Sequence, residues 1–210
     1  MIPGTKVSQL AATHIGQAES PLGSNRGTFV EACQRATFLA GTGWPWCAAF
    51  VCYVAAQAGV RLSYASASAN GLADHYVSQG CAVSINHAHG GDVADFNIGS
   101  GHTAIIEAVD LEHGVVHTID GNWGDRVERV VHPISSIRRI WRIPGVAAQG
   151  PAPHKPKLPP WVVATSAHGH RKIVFRASTK KGLLRWLRHH TIERIAPNGV
   201  TITRAKRTRR

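Results

Sequence analysis

The chain has 210 residues, 43% of them hydrophobic and 17% charged, which excludes a disordered protein and leaves room for one packed domain and a small second one. Its net charge of +12 favours anionic partners such as a bacterial wall, anionic lipid or nucleic acid. The charge is uneven, because residues 1–145 hold 9 lysines and arginines against 11 acidic residues, whereas residues 146–210 hold 15 against 1. We therefore expect a near-neutral body and a basic C-terminal part with a different task.

Four cysteines stand at positions 33, 47, 52 and 81, and no two have the C-x-x-C spacing of zinc fingers or thioredoxins. Their spacing does not require disulfides, so we expect synthesis in a reducing cytoplasm. The N-terminus lacks a charged start followed by an apolar run, and no segment reaches the roughly 20 apolar residues of a membrane span. We therefore expect neither a Sec signal peptide nor a membrane-spanning segment.

The first part of the chain favours helices, predicted over residues 5–19, 29–39, 47–58 and 72–79. Gly43–Trp46 is predicted as a rigid turn before the third helix, because proline fixes φ and constrains the residue before it. The third helix, from Cys47, contains no glycine or proline and is apolar almost all round, and Gly59 follows it. This pattern predicts a buried helix with Cys47 in its first turn.

The middle of the chain favours strands, predicted over residues 82–85, 103–109, 115–119 and 126–132. Residues 110–114 have the composition of a hairpin turn and join the second and third of these strands. Helices come first and an antiparallel sheet follows, which predicts an α+β fold.

A proline-rich stretch, residues 146–160, predicts an extended and semi-stiff linker to a C-terminal module. Beyond it, residues 161–165 and 172–176 are predicted to pair as strands, and Ser178 can cap a helix. A third strand is predicted at residues 200–203. The predicted domains are therefore residues 1–145, the linker 146–160, and a small basic β–α–β module over residues 161–210.

Cys47 is the cysteine best placed for chemistry. The positive end of the helix dipole and the unpaired N–H groups of a first turn favour a thiolate, and the same N–H groups can hold an oxyanion. A small buried core residue is the alternative for Cys47, because this is what most free cysteines are. Cys33, Cys52 and Cys81 lack such a setting, and we expect them in the core.

A nucleophilic cysteine needs a base, and among 13 histidines His102 has the most suggestive context. It follows Gly99–Gly101 and opens an apolar strand, so it can face a cleft at the mouth of that strand. The register of the predicted hairpin places His102 across from residues 120–122. Either Asp120 or Asn122 can therefore accept a hydrogen bond from the imidazole and orient it.

Four segments, in this order, resemble the successive blocks of CHAP domains: GTGWPWCAAFV, GGDVADF, GHTAIIEAVD and TIDGNWGDRV. CHAP domains are papain-like cysteine amidohydrolases and peptidases, common in phage endolysins and bacterial wall hydrolases. The resemblance covers residues 5–145 and implies a papain-like fold with Cys47 as nucleophile and His102 as base. The acidic residue of a frequent Glu-x-Asn pattern falls on Asp120, one methylene shorter than Glu, and its asparagine falls on Asn122.

Two tryptophans are predicted to bind the substrate: Trp46 beside the nucleophile, and Trp123 after the hairpin. Trp123 can equally cover the core. Asp92 is predicted to shape the turn before a strand rather than to act in catalysis. Some CHAP domains bind calcium through an acidic loop, but no segment here matches one, so we expect neither a metal nor a cofactor.

Together these features predict a hydrolase that cleaves amide or peptide bonds of peptidoglycan, in the bacterial cell wall, by a Cys–His mechanism. Since no Sec signal is visible, the resemblance implies a phage endolysin, made in the host cytoplasm and released to the wall through a membrane hole. The basic C-terminal part is expected to bind anionic wall polymers, with nucleic-acid binding or a plain solvated surface as alternatives. A non-catalytic wall- or nucleic-acid-binding protein is the alternative to an enzyme.

Overall fold

A computed structural model of the protein describes residues 1–147, together with four short strands between residues 162 and 207. The chain divides into two units, residues 1–153 and 154–210, and each is described by itself. In the first unit four helices lead and an antiparallel five-stranded sheet follows. This order confirms the predicted α+β fold.

The four α-helices are α1 (Gly4–Thr13), α2 (Thr28–Gln34), α3 (Cys47–Gln57) and α4 (Ala69–Tyr76). Each corresponds to a predicted helix, but α1 and α2 end earlier than expected. After α1 the chain turns at Gly16, whose φ of 91° is left-handed. After α2 the Thr37 hydroxyl donates to the Gln34 carbonyl at 2.9 Å. This side-chain bond occupies a carbonyl that the backbone N–H of a further helical turn would otherwise bind.

The main sheet contains β2 (Val93–Phe96), β3 (His102–Asp110), β4 (Val115–Trp123), β5 (Arg126–Pro133) and β6 (Ile137–Trp141). Its strand order is β5-β4-β3-β2-β6, and all neighbours are antiparallel. Two further short strands, β1 (Ile2–Pro3) and β7 (Val146–Ala147), pair in parallel and tie the two ends of this unit together. The predicted hairpin β3–β4 and the predicted strand β5 are confirmed.

The prediction of a strand over residues 82–85 is wrong. Ala82 makes only an isolated bridge to Trp141, and Ile85–His87 forms a 3-10 turn. Local hydrogen bonding explains the difference, because the Ser84 hydroxyl and the Nδ1 atom of His87 lie 2.9 Å apart and hold the chain in a turn. Strand β6 was not predicted, and β2 was expected only as a strand after the turn at Asp92, without bounds.

Helix α3 lies at the centre of the first unit and packs against α1, α2, β3 and β4. Because it has neighbours on several sides, nearly all of its side chains are buried, as its apolar sequence predicts. Its approach to β4 is so close that a Cβ atom at Gly121 would overlap the Phe50 side chain. Gly121 therefore lets the first turn of α3 lie directly against the strand that carries Asp120.

In the second unit, β8 (Val162–Val163) pairs antiparallel with β9 (Phe175–Arg176), and β10 (His190–Ile192) with β11 (Ala205–Arg207). The first pair lies within the two segments predicted to pair. The predicted linker beyond residue 147, the helix after Ser178 and the strand 200–203 lie outside the described residues. Within the part of the chain that the structure describes, no helix has both the length and the apolar character that crossing a membrane requires.

Candidate active site

Cys47 is the first residue of α3 and follows the turn Gly43–Trp46. The N–H groups in the first turn of a helix have no acceptor within the helix, and the helix dipole makes this end positive. The first turn of α3 carries no acidic side chain that would offset this field. Cys47 is 8% exposed, so its thiol lies at the edge of the core.

His102 begins β3 and is 7% exposed, and the thiol of Cys47 is near enough to raise its pKa. Its Nε2 atom lies 2.7 Å from Oδ2 of Asp120, which leaves Nδ1 for the thiol. Burial alone lowers the pKa of His102, but the hydrogen bonds to Asp120 and Cys47 outweigh burial and raise this pKa to about 9. An imidazolium beside the thiol is therefore favoured at neutral pH, and such a neighbour activates a cysteine as a nucleophile.

Asp120, on β4, is 0% exposed and accepts hydrogen bonds from three side chains. His102 and His132 donate from Nε2 to Oδ2 at 2.7 and 2.8 Å, and the Thr118 hydroxyl donates to Oδ1 at 2.5 Å. Burial raises the pKa of Asp120, but the bonds to the two histidines outweigh burial and hold this pKa below its usual range. The carboxylate is therefore ionised at neutral pH, as an imidazolium partner requires.

Asn122 bonds elsewhere. Its Nδ2 atom donates to Oδ1 of Asn25 at 3.4 Å, and its φ of 60° turns the end of β4 toward that loop. Of the two residues predicted across from His102, the structure thus brings Asp120 to the imidazole and directs Asn122 to Asn25.

His132 and Thr118 complete the cluster and were missed by sequence reasoning. His132 lies on β5 opposite Val116, and strand alternation puts Thr118 and Asp120 on the same face of the sheet as Val116. The only signal in the sequence is one histidine at the end of the predicted strand, in VERVVHP. Finding this contact needs the pairing of β4 with β5, which the sequence alone does not provide.

His102, Asp120 and His132 also form the kind of group that can hold a transition metal, with one potential ligand atom each within 4.8 Å of the others. Here both Nε2 atoms donate to one oxygen of Asp120 at hydrogen-bonding distances. A metal ion would have to displace both protons and would compete with the thiol for His102. These contacts are those of a hydrogen-bonded relay, and we assign no metal ion to the three side chains.

The two tryptophans predicted to bind the substrate have different environments. Trp46 is 0% exposed, and its Nε1 donates to Oε1 of Glu19 at 2.9 Å, so its prediction as a substrate contact is wrong. The indole turns inward because a buried carboxylate accepts its N–H. Trp123 is half-buried, and its ring centroid lies 5.2 Å from that of His102. Trp123 therefore covers the imidazole and stays a candidate for substrate contact.

Glu19 and Gln34, which are buried, support the turn before the nucleophile. Besides Trp46, Glu19 accepts the Asn25 N–H through Oε2 at 2.8 Å. Gln34 donates from Nε2 to the carbonyls of Asn25 and Trp44 at 3.0 and 2.6 Å. These bonds tie the turn to the loop that precedes α2, and they link residues too distant in the chain to be paired from the sequence.

The remaining candidates have structural roles in this structure. Cys33 and Cys52 lie in the core, and burial raises the pKa of both thiols, that of Cys52 to about 12, so both are neutral. Asp92 accepts the His89 N–H at 2.8 Å and the Nε of Arg142 at 2.7 Å. It thereby holds the turn before β2, as predicted.

Together, a thiol at a helix N-terminus, an imidazole beside it and a carboxylate behind that imidazole form the arrangement that thiol hydrolases use. Residues 39–122, which include α3 and the strands of His102 and Asp120, match the family model of the CHAP domain. The match supports a CHAP domain in this part of the chain, and this domain implies hydrolase activity of the amidase or peptidase type, related in general to peptidoglycan. No curated protein and no solved structure matches the chain significantly.

Proposed function

We propose that the protein cleaves amide or peptide bonds of bacterial peptidoglycan, with Cys47 as nucleophile, His102 as base and Asp120 as the group that orients the imidazole. The observation that carries this proposal is that His102 bonds the Asp120 carboxylate through Nε2 at 2.7 Å and has the Cys47 thiol as its other polar neighbour. The CHAP match supports the class of substrate.

The reaction begins from the thiolate–imidazolium pair. The Cys47 sulfur attacks the carbonyl carbon, and the resulting oxyanion accepts a hydrogen bond from the free backbone N–H of Cys47 at the start of α3. His102 then gives its proton to the amine nitrogen as the C–N bond breaks, leaving a thioester on Cys47. Water attacks the thioester while His102 takes its proton, the C–S bond breaks to release the carboxylic acid, and the thiolate–imidazolium pair is restored.

Digestion of purified peptidoglycan tests the proposed activity. We expect wild type to release soluble fragments, and mass spectrometry of their new termini will distinguish a muramoyl–alanine amidase from a stem or cross-bridge endopeptidase. Cys47→Ala should release none. Cys52→Ala is the matched control on the same helix and should release the same fragments as wild type. Intact peptidoglycan after treatment with folded wild-type protein would contradict the proposal.

We further propose that the protein acts as a phage endolysin, made inside the host and dependent on a membrane hole. The motive is the CHAP match, because phage endolysins commonly carry this domain. Bacteria that express the wild-type chain should stay intact until their membrane is permeabilised with chloroform, and should then lyse, whereas cells with Cys47→Ala should not. Lysis without permeabilisation would instead indicate that the protein has its own export route.

The basic C-terminal part is proposed to hold the enzyme on anionic wall polymers. Its 15 lysines and arginines beyond residue 145 would attract such polymers, and this attraction should weaken steeply as salt rises. Nucleic-acid binding is the second candidate, because the terminal sequence TRAKRTRR suits it equally. Full-length Cys47→Ala should bind purified walls after nuclease treatment and lose binding once anionic polymers are stripped. Binding that nuclease abolishes would favour the nucleic-acid alternative.

A further inference from the structure

His132 is a buried histidine that the proposed mechanism does not use. It is 3% exposed, and its ring packs against Phe96 and Trp123 with centroids 4.3 and 5.0 Å away. An apolar side chain would suit such surroundings better, because a buried polar ring must find a hydrogen-bonding partner. The partner of His132 is Asp120.

We propose that His132 is a positioning residue of the active site, which fixes the Asp120 carboxylate so that this carboxylate can orient His102. This inference rests on the proposed roles of Cys47 and His102. His132 acts through Asp120, so its effect on catalysis is indirect.

The contacts of Asp120 show why such an anchor is needed. The carboxylate is held from three strands: by His102 on β3, by Thr118 on β4 itself and by His132 on β5. His102 cannot serve as the anchor, because it is the group that must be oriented. Without His132, Thr118 is the remaining side-chain donor that would limit rotation of the carboxylate, and it binds only Oδ1.

The shared oxygen also determines where the protons lie. Oδ2 of the ionised carboxylate only accepts, so the Nε2 atoms of both histidines must carry protons. For His102 this tautomer leaves Nδ1 to exchange a proton with the Cys47 thiol. A row of groups therefore leads from His132 through Asp120 and His102 to the sulfur.

Alkylation of Cys47 by iodoacetamide, measured from pH 5 to 10 and located by mass spectrometry, tests this role. His132→Phe keeps an aromatic ring but removes the donor, whereas His132→Gln keeps a donor at a similar reach. We expect the phenylalanine variant to react roughly tenfold more slowly at neutral pH, as is typical when an orienting partner is lost, and the glutamine variant to stay near wild type. His117→Phe, on β4, is the control for replacing a histidine in this sheet and should react like wild type.

The pH profile separates positioning from packing. In wild type the imidazolium should persist to about pH 9, because its bonds to Asp120 and Cys47 support it. A less well oriented carboxylate stabilises the His102 imidazolium less. The ion pair of His102 and Cys47 should therefore be lost at a lower pH in His132→Phe. Equal rates and pH profiles for the phenylalanine and glutamine variants would overturn the proposal.

A measurement on wild type covers the case in which His132→Phe does not fold. NMR of the imidazole nitrogens should find a proton on Nε2 of His132, and a bare Nε2 would overturn the proposal. Alkylation that needs a divalent metal and is lost with a chelator would also overturn it, because these side chains would then be a metal site. Alkylation requires no peptidoglycan, so failure of the proposed function leaves this test valid.

Discussion

Cys47 and Cys52 lie on the same helix, little more than one turn apart, but in different surroundings. Cys47 stands at the N-terminus of α3 beside His102, whose pKa it raises. Cys52 lies mid-helix, and its thiol donates a weak hydrogen bond to the Ser66 carbonyl, 3.9 Å from the sulfur. The same thiol is thus a candidate nucleophile at one position and a neutral core group at the other. The difference arises from the free N–H groups of the first turn and from the imidazole.

The largest effect is expected from substitutions at these two cysteines. Cys47→Ala should reduce peptidoglycan hydrolysis by a factor of at least about 10³, because no other group can form the thioester. Cys52→Ala should leave hydrolysis unchanged and lower the free energy of unfolding by about 1 kcal/mol, since it removes a small buried group. Hydrolysis assays and urea denaturation measure the two quantities. Wild-type activity in a folded Cys47→Ala variant would show that Cys47 is no more necessary for hydrolysis than Cys52.

The next largest effects are expected at the base and its partners. His102→Ala should cost about as much as Cys47→Ala, because nucleophile and base act as one unit. Asp120→Ala should cost less, and Asn122→Ala less again, since Asn122 bonds to Asn25. The kcat values on a soluble wall fragment measure this order. A larger loss for Asn122→Ala than for Asp120→Ala would mean that the asparagine orients the imidazole during catalysis.

The sequence predicts the parts of this site that depend on local pattern. The helix that begins at Cys47 follows from an apolar run after a proline turn, and the approach of His102 to Asp120 follows from one hairpin. What the sequence does not predict depends on contacts between distant segments. The inward turn of Trp46 requires Glu19, and the role of His132 requires the pairing of β5 with β4.

Strand β6 was missed for a similar reason. Its sequence, IRRIW, contains two arginines, which are uncommon in a strand next to a buried neighbour. Arg138 is accommodated because its Nε and Nη1 atoms donate to Asp95 and Asp74 at 2.5 and 2.8 Å. These carboxylates come from β2 and α4, so the strand becomes recognisable only in the folded chain.

A smaller effect is expected where α3 meets β4. Gly121→Ala would place a methyl group against Phe50, so we expect a loss of about 1–3 kcal/mol in the free energy of unfolding, together with reduced hydrolysis as the first turn of α3 moves from Asp120. In a Phe50→Ala background the same methyl group should cost less, because the ring atoms that it would meet are gone. Denaturation of the single and double variants checks this. Independent, additive effects of the two substitutions would mean that this contact does not set the position of Cys47.

The smallest effect concerns the pH dependence of stability. The pKa of His102 is raised from 6.5 to about 9, so folding favours its protonated form. This contribution to stability is fully present below pH 6.5 and is lost as the pH rises through about 9. Urea denaturation between these values should therefore show wild type losing stability more steeply than His102→Gln. Parallel curves would mean that the imidazolium is not favoured in the folded protein.

The most direct test of the central claim is the rate at which each cysteine reacts with iodoacetamide at pH 6, resolved by mass spectrometry. Few free thiols are ionised at this pH, because their usual pKa is about 8.5. If Cys47 and His102 form an ion pair, Cys47 should react much faster than Cys33, Cys52 and Cys81, and His102→Ala should abolish this preference. A Cys47 that reacts no faster than Cys81, or equally fast in His102→Ala, would contradict the account.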